Sequence, residues 1–173
     1  AFSAFGCTTA DYMRRHSVST QIDIPSAADD KALAAFGKRV SAIWADLEKA
    51  AIDEMIADGH AAEKIRTEPF LMMRYTGQLA DVEVRSSLRR VSGAKDMRAA
   101  LAEFETVYAK INHRVSRYGA AGFSIMELGM TAVADKVKPT LERHALGPSD
   151  PSRAHKGTRE AYIGGRWHKA NLY

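Results

Sequence analysis

The chain has 173 residues, 46% of them hydrophobic, which is enough to bury one substantial core in a single domain over 1–173. Its 25 basic and 21 acidic residues are interspersed, and we find no basic run alternating with aromatic residues, so a nucleic-acid partner is not expected despite the net charge of +4. No apolar stretch approaches the roughly 18 residues of a membrane span, and no signal-peptide pattern is present. These features predict a cytoplasmic protein without a membrane partner.

The single cysteine, Cys7, excludes an internal disulfide and fits a reducing compartment, and its small apolar side chain is expected to be buried. The sequence opens at Ala1 without a methionine and ends at Tyr173 without a polar tail. Because natural termini usually fray through polar residues, we interpret the chain as the C-terminal fragment of a larger subunit. Residues 1–25 are expected to be a segment that leads into the domain.

The first predicted element is a long helix that begins near Ser26 and ends at Gly59. Ser26 supplies a capping hydroxyl, and Asp29 and Asp30 place carboxylates near the positive end of the helix dipole. The residues that recur at three- and four-residue spacing form one apolar face: Leu33, Phe36, Val40, Ile43, Trp44, Leu47, Ala51 and Met55. This spacing predicts an amphipathic helix.

Strand-forming residues follow over 65–73, with Pro69 favouring an edge or a bulge near the start of this strand. Val82 and Val84 then alternate with charged residues, which is typical of a sheet with one solvated face. We predict a hairpin with strands at Phe70–Tyr75 and Leu79–Val84 and with Gly77 near the turn.

A second amphipathic helix is predicted from Lys95 or Asp96 to about Gly119, followed by a central strand over 123–133. Proline and glycine predict a surface loop over 139–158, with one helical turn at Thr140–His144. A last hairpin joins 159–163 to 167–173 through Gly164-Gly165. The predicted fold class is α+β: an antiparallel sheet covered by two long amphipathic helices.

The most informative polar segment is Arg74-Tyr75-Thr76-Gly77-Gln78, which the predicted hairpin would hold on a rigid turn. Asp11, with Arg14 and Arg15, forms either a polar cluster or a solvated helix face. Six scattered histidines offer no pair at ligand spacing, and no nucleophile elbow or phosphate-binding loop is present. The residues alone therefore give no catalytic residue and no metal site.

Three blocks of sequence follow one another along the chain: Ser3-Ala4-Phe5-Gly6 with Ala10-Asp11, the pentad Arg74 to Gln78, and Arg159-Glu160-Ala161-Tyr162 with Gly165 and Trp167. In this order they resemble the C-terminal domain of the hydantoinase A, oxoprolinase and acetone carboxylase family. Hydantoinase-like members usually carry Glu where this chain has Asp81. Phe104-Glu105 with Tyr108, and Ala121-Gly122-Phe123, look most like the β-subunit branch of acetone carboxylase.

The resemblance implies an accessory domain of an ATP-dependent carboxylase that converts acetone and bicarbonate into acetoacetate. ATP would bind an upstream nucleotide-binding domain of the same subunit, a divalent metal would lie in a partner subunit, and other carboxylase subunits would be partners. The fragment by itself is expected not to be catalytic and to hold no cofactor. Two alternatives stay open: the same domain of an ATP-dependent hydantoinase or 5-oxoprolinase, and an independent module that binds an acidic ligand.

The resemblance also marks the motif and interface candidates, which are Arg74, Tyr75, Gly77, Gln78, Asp81 and Asp11. We expect Arg74 and Gln78 to hydrogen-bond across a domain or subunit interface. The alternative is direct contact of Arg74 with substrate or phosphate, for which a planar guanidinium is suited.

Overall fold

The structure is a computed structural model and describes residues 2–140, 145, 147 and 149–173. The chain falls into two compact units, Ala1–Lys138 and Pro139–Tyr173. The first contains three helices and four strands, which are α1 (Phe2–Thr9), β1 (Tyr12–Ile24), α2 (Asp30–Ala57), β2 (Ile65–Tyr75), β3 (Val82–Arg85), α3 (Ala94–Asn112) and β4 (Phe123–Ala134). The second contains β5 (Gly157–Ile163) and β6 (Arg166–Leu172). The expected extent of one domain over 1–173 stays a prediction.

The four strands of the first unit form an antiparallel sheet in the order β1-β4-β2-β3, and α2 and α3 pack on one of its faces. The predicted α+β class with two long helices on an antiparallel sheet is confirmed. The fully buried side chains between the layers include Trp44, Tyr75, Phe104, Leu71, Met73, Ile125 and Leu128. Side chains alternate between the two faces along a strand, so every second residue of each strand points to the helices.

Helix α2 begins at Asp30, because the side chain of Asp29 accepts a hydrogen bond of 2.8 Å from the Ala32 amide and caps the first turn. The predicted cap at Ser26 is therefore wrong by one turn. At the other end, Gly59 has a φ of +94°, the left-handed conformation that ends helices.

The thirteen-residue strand β1 is not predicted by the sequence. Its face toward α2 carries Arg14 and His16, and both are paired with acidic residues of α2: Arg14 Nη2 lies 2.7 Å from Asp58 Oδ2, and His16 Nε2 lies 2.6 Å from Glu54 Oε2. An alternation of apolar and polar residues is consequently missing. Residues 12–24, expected to belong to a lead-in segment, are a strand of the sheet, and of the two alternatives given for Arg14 and Arg15 the solvated helix face is wrong.

Strand β4 lies inside the sheet and is buried along both faces, as predicted. Opposite the helices, Phe70 of β2 lies over Gly129 of β4, and a Cβ at position 129 would stand only 1.9 Å from the Phe70 ring. The guanidinium of Arg15 stacks on the same ring at 3.7 Å. Glycine is thus required at 129 by the ring above it.

Two further predictions need correction. The strand expected at Leu79–Val84 begins only at Val82, because residues 76–81 form a longer turn. Cys7 lies on α1 and is exposed, although a buried thiol was expected; this short helix has a weakly amphipathic pattern and buries little.

In the second unit, β5 and β6 pair as the predicted hairpin, with φ of +60° at Gly164 and +82° at Gly165. These left-handed angles explain the two glycines at the turn. The loop predicted over 139–158 ends at Lys156, since Gly157 already belongs to β5. Beyond Thr140, the helical turn predicted at Thr140–His144 lies outside the described residues.

Candidate functional site at the β2–β3 turn

The pentad begins in the last two residues of β2 and continues into the turn toward β3. Gly77 has a φ of +89°, and the Gln78 amide donates to the Tyr75 carbonyl over 3.0 Å. The Thr76 amide donates to the Gly122 carbonyl over 3.1 Å, which joins the turn to the segment that precedes β4. Backbone hydrogen bonds therefore fix the turn, and its glycine supplies the left-handed residue that the chain reversal needs.

Arg74 holds the turn from the sheet face opposite the helices. Its Nη1 donates to the Leu79 carbonyl over 3.3 Å and lies 3.6 Å from Asp81 Oδ1. The two side chains are 24% and 29% exposed, so this pair is only partly screened by water. Arg74 and Asp81 thus close the turn from within the same unit.

Tyr75 is fully buried among aromatic rings, with T-shaped contacts to Phe104 at 5.0 Å and Tyr108 at 4.9 Å between centroids. Its hydroxyl donates to Glu105 Oε1 over 3.2 Å. Burial is the main cause that raises the pKa of the Tyr75 hydroxyl. The residue is therefore a neutral structural donor that anchors the end of β2 to α3.

Gln78 connects the turn to the same helix. Its Nε2 donates to the Tyr108 hydroxyl over 2.8 Å, and Tyr108 itself is buried. The turn is consequently attached to α3 on one side through Gln78 and to its own backbone on the other side through Arg74.

A polar row that the sequence analysis does not include crosses the sheet beside Arg74. Asp23 of β1, Ser124 of β4 and Arg74 of β2 are neighbours in register. Ser124 is 4% exposed, and its Oγ donates to Asp23 Oδ1 over 2.6 Å. Gln21 Nε2 donates to Asp23 Oδ2 over 2.9 Å.

The hydrogen bond from Ser124 is the first cause that holds the pKa of the Asp23 carboxyl below its ordinary value, followed by the bond from Gln21. The positive charge of Arg74 acts in the same direction. Asp23 therefore faces Arg74 as a carboxylate. No local motif signals this row, because its three members are brought together only by the order and register of the strands.

Exposed apolar side chains lie in the turn and at the end of α3. Leu79, 94% exposed, lines a shallow depression of about 360 Å³ together with Tyr108 and Asn112 at the end of α3. The end of α3 and the short turns after it add three more exposed apolar residues, Ile111, Val115 and Tyr118. We call Leu79, Ile111, Val115 and Tyr118 the apolar end.

Asp11 lies apart from the other five candidates. It precedes β1, whose first residue pairs with the last residue of β4, whereas Tyr75 pairs with the first. The twelve residues of β4 separate the two positions by roughly 35 Å at the usual rise of a strand. Asp11 accepts from the Lys136 amide over 3.0 Å and from the Lys138 side chain, and the bond from Lys138 is the main cause that lowers its pKa.

No group of three or more His, Cys, Asp or Glu side chains in the described part of the chain is placed to hold a metal ion. His113 is exposed at the end of α3, where its Nδ1 accepts from the Val115 amide over 3.4 Å. Within residues 2–140, 145, 147 and 149–173, no helix is both long and apolar enough to cross a membrane. The turn is fixed by backbone and side-chain hydrogen bonds and exposes the apolar side chain of Leu79.

Comparison with known families identifies the class to which this chain belongs. The sequence profile of the hydantoinase/oxoprolinase C-terminal domain matches residues 27–173. The chain therefore belongs to the hydantoinase/oxoprolinase C-terminal domain family, and the resemblance noted in the sequence is confirmed.

The acetone carboxylase β subunit of Xanthobacter autotrophicus (strain ATCC BAA-1158 / Py2) is 30% identical over 173 residues, which cover 99% of this chain and 24% of that protein. A nucleotide-free structure of acetone carboxylase matches with a TM-score of 0.80 and 30% identity, over 99% of this chain and 24% of that one. The ATP-dependent caprolactamase of Pseudomonas jessenii shares the fold, with a TM-score of 0.65, 16% identity and coverage of 98% and 24%. The chain spans about a quarter of the length of these relatives.

Proposed function

We propose that this chain is the accessory C-terminal domain of an ATP-dependent ketone carboxylase subunit like the acetone carboxylase β subunit. The parent reaction would combine acetone and bicarbonate, with ATP, to give acetoacetate. The observation that carries the proposal is the similarity to acetone carboxylase in both sequence and fold over 99% of this chain. The parent enzyme is proposed to be cytoplasmic.

The β2–β3 turn is proposed to dock this domain on the nucleotide-binding domain of the same subunit. Exposed apolar side chains are normal when single, but a cluster commonly marks an interaction surface. Leu79 and Val115 are 94% and 84% exposed at one end of the unit, next to a turn that Arg74 and Gln78 hold rigid. A preorganised turn loses little conformational entropy when it binds.

ATP and the divalent metal of the parent enzyme are proposed to bind outside these residues. In the described ranges, no three His, Cys, Asp or Glu side chains converge on one point. These residues therefore do not fit a dedicated metal site, and we derive no step through a metal. The contribution of the domain would be to position the rest of the subunit.

The test uses the full-length polypeptide in its assembled enzyme. Arg74→Ala should loosen the turn and weaken docking, with Arg74→Lys as a control that keeps the charge but loses the planar fork. We expect lower acetone-dependent ATP hydrolysis together with increased proteolysis at the domain boundary. Lost turnover with an unchanged proteolysis pattern would instead favour direct contact of Arg74 with substrate or phosphate.

The substrate class is tested separately with the wild-type enzyme. Acetone and bicarbonate should stimulate ATP hydrolysis and yield acetoacetate, whereas a hydantoin, 5-oxoproline and caprolactam should not. Stimulation by one of the cyclic amides alone would assign the domain to an ATP-dependent amide hydrolase, the main alternative.

A further inference from the structure

The C-terminal end of the chain carries a net positive charge. Residues 153–173 contain five arginines and lysines and a single glutamate, a net charge of +4 that equals the net charge of the whole chain. The other 152 residues carry 20 basic and 20 acidic residues and are neutral. The β5–β6 hairpin therefore lies in one of the basic regions of the chain; residues 85–98 form another, with five basic residues and one acidic residue.

The same hairpin exposes a pair of large aromatic residues. Tyr162 and Trp167 are opposite each other in register, with ring centroids 5.3 Å apart, and are 61% and 66% exposed. A cross-strand aromatic pair stabilises a hairpin and holds both rings in place. These two residue types dominate the binding energy at the centres of protein interfaces.

A hairpin of two strands is marginally stable in water unless another layer covers it. In β5 and β6, the described side chains are exposed except for partly buried Ala161 and Ala170 and the start of β5 at Gly157. On one face Glu160 and Lys169 flank the aromatic pair, while the other face carries Arg159, Arg166 and His168. Both faces are thus little buried; the aromatic face is balanced in charge, and the opposite face carries the two arginines.

We propose that the hairpin at 157–172 is a docking arm for an acidic protein surface on a separate polypeptide of the same enzyme, where Tyr162 and Trp167 enter an apolar pocket. Concentrated charge accelerates the encounter of two diffusing molecules, an advantage that does not exist for two parts of one chain. The separate partner therefore explains the charge, and the aromatic pair explains the specificity. The inference rests on the proposed function for the identity of the enzyme.

A protein surface fits the arm better than a nucleic acid does. Stacking of successive bases needs free aromatic faces, but the two rings contact each other at an angle of 60°. Glu160, next to them on the same face, would repel a phosphate backbone. An acidic protein surface can pair with Lys169 beside the rings and with Arg159 and Arg166 on the other face, while a basic group of the partner donates to Glu160.

The experiment measures association of the full-length polypeptide with the other purified subunits of its enzyme by light scattering and by biolayer interferometry. Two variants remove the arm's chemistry, Tyr162→Ser with Trp167→Ser, and Arg159→Glu with Arg166→Glu. The aromatic variant should weaken binding at least tenfold, mainly through faster dissociation. The charge variant should slow association and flatten its dependence on salt.

Two controls separate these effects from loss of folding. Trp167→Phe keeps an aromatic ring and should bind within about threefold of the wild type, which converts to less than about 1 kcal/mol. Lys31→Glu with Lys38→Glu changes the net charge equally on the exposed side of α2 and should leave salt dependence intact. All variants should keep the thermal midpoint of the first unit, which does not contain the hairpin.

Unchanged subunit binding in both arm variants would overturn the proposal, as would loss of self-association alone, which would identify a second copy of the chain as the partner. Binding of a single-stranded oligonucleotide that the arm variants abolish, with subunit assembly unaffected, would also overturn it. Acetone-dependent ATP hydrolysis is recorded in parallel. If turnover is absent while assembly depends on the arm, the proposed reaction fails and the docking arm stands.

Discussion

The two tryptophans of the chain lie one in each unit, and their environments differ completely. Trp44 on α2 is 1% exposed, packs in the core and donates from Nε1 to the Phe70 carbonyl over 3.4 Å. Trp167 on β6 is 66% exposed and contacts Tyr162 across the hairpin. The first unit uses aromatic side chains to build a core, whereas the hairpin displays them. Stability and contact are thus assigned to different parts of the sequence.

The strongest way to break this comparison is to truncate each tryptophan. Trp44→Ala removes a fully buried side chain and should lower the free energy of unfolding by about 3–5 kcal/mol. Trp167→Ala should change it by less than about 0.5 kcal/mol in the first unit, since exposed side chains contribute little. Urea denaturation followed by circular dichroism measures both. Equal losses would show that the hairpin is part of the same cooperative core.

The next effect concerns the sheet face opposite the helices. Gly129→Ala should cost about 1–3 kcal/mol, because the new methyl group would overlap the ring of Phe70, which Arg15 covers from above. The matched control is Phe70→Leu with Gly129→Ala, in which the smaller side chain makes room. A double variant as unstable as the sum of the two single ones would contradict the steric explanation.

A smaller effect on stability is expected for the polar row of Asp23, Ser124 and Arg74, and it depends on pH. The pKa of Asp23 is lowered in the folded state, so its bonds stabilise the fold above the unfolded pKa near 4 and lose this effect as pH falls through the folded value. Ser124→Ala should cost about 1 kcal/mol at pH 7. The difference in free energy of unfolding between this variant and the wild type should become smaller as the Asp23 carboxyl is protonated below pH 4. A gap that widens on acidification would contradict the assignment.

The smallest predicted effect lies at the turn. Tyr108→Phe removes the acceptor of Gln78 and should cost about 0.5–1.5 kcal/mol, with faster hydrogen exchange at the amides of 76–81. Tyr118→Phe, on an exposed ring, is the matched control and should leave exchange unchanged. Exchange that is equally fast in both variants would show that Gln78 does not fix the turn.

Sequence patterns predict those parts of the fold in which one residue's environment follows from its neighbours along the chain. The apolar spacing of α2, the two-sided burial of β4 and the left-handed glycines of the last hairpin are of this kind. Strand β1 escapes prediction because Arg14 and His16 face a helix that carries their acidic partners. Its covered face is held by charge pairs between segments some forty residues apart.

The candidate site shows the same limit. The pentad was found from its residues, and the structure brings Arg74, Tyr75, Gly77, Gln78 and Asp81 together at one turn. Asp23 and Ser124 join Arg74 only through the strand order β1-β4-β2. Asp11 belongs to the first block of the family resemblance but lies at the far end of the sheet. Closeness along the chain therefore predicted the cluster at the turn, whereas membership of the same family resemblance did not place Asp11 beside it.

The most direct test of the accessory-domain account is hydrogen exchange of the full-length polypeptide in its assembled enzyme, compared with Leu79→Asp. The apolar end should exchange slowly in the wild type, because the nucleotide-binding domain covers it, and rapidly in the variant, with turnover reduced in parallel. Lys38→Glu, an exposed change on α2, should leave both unchanged. Rapid exchange around Leu79 in the fully active wild-type enzyme would contradict the account.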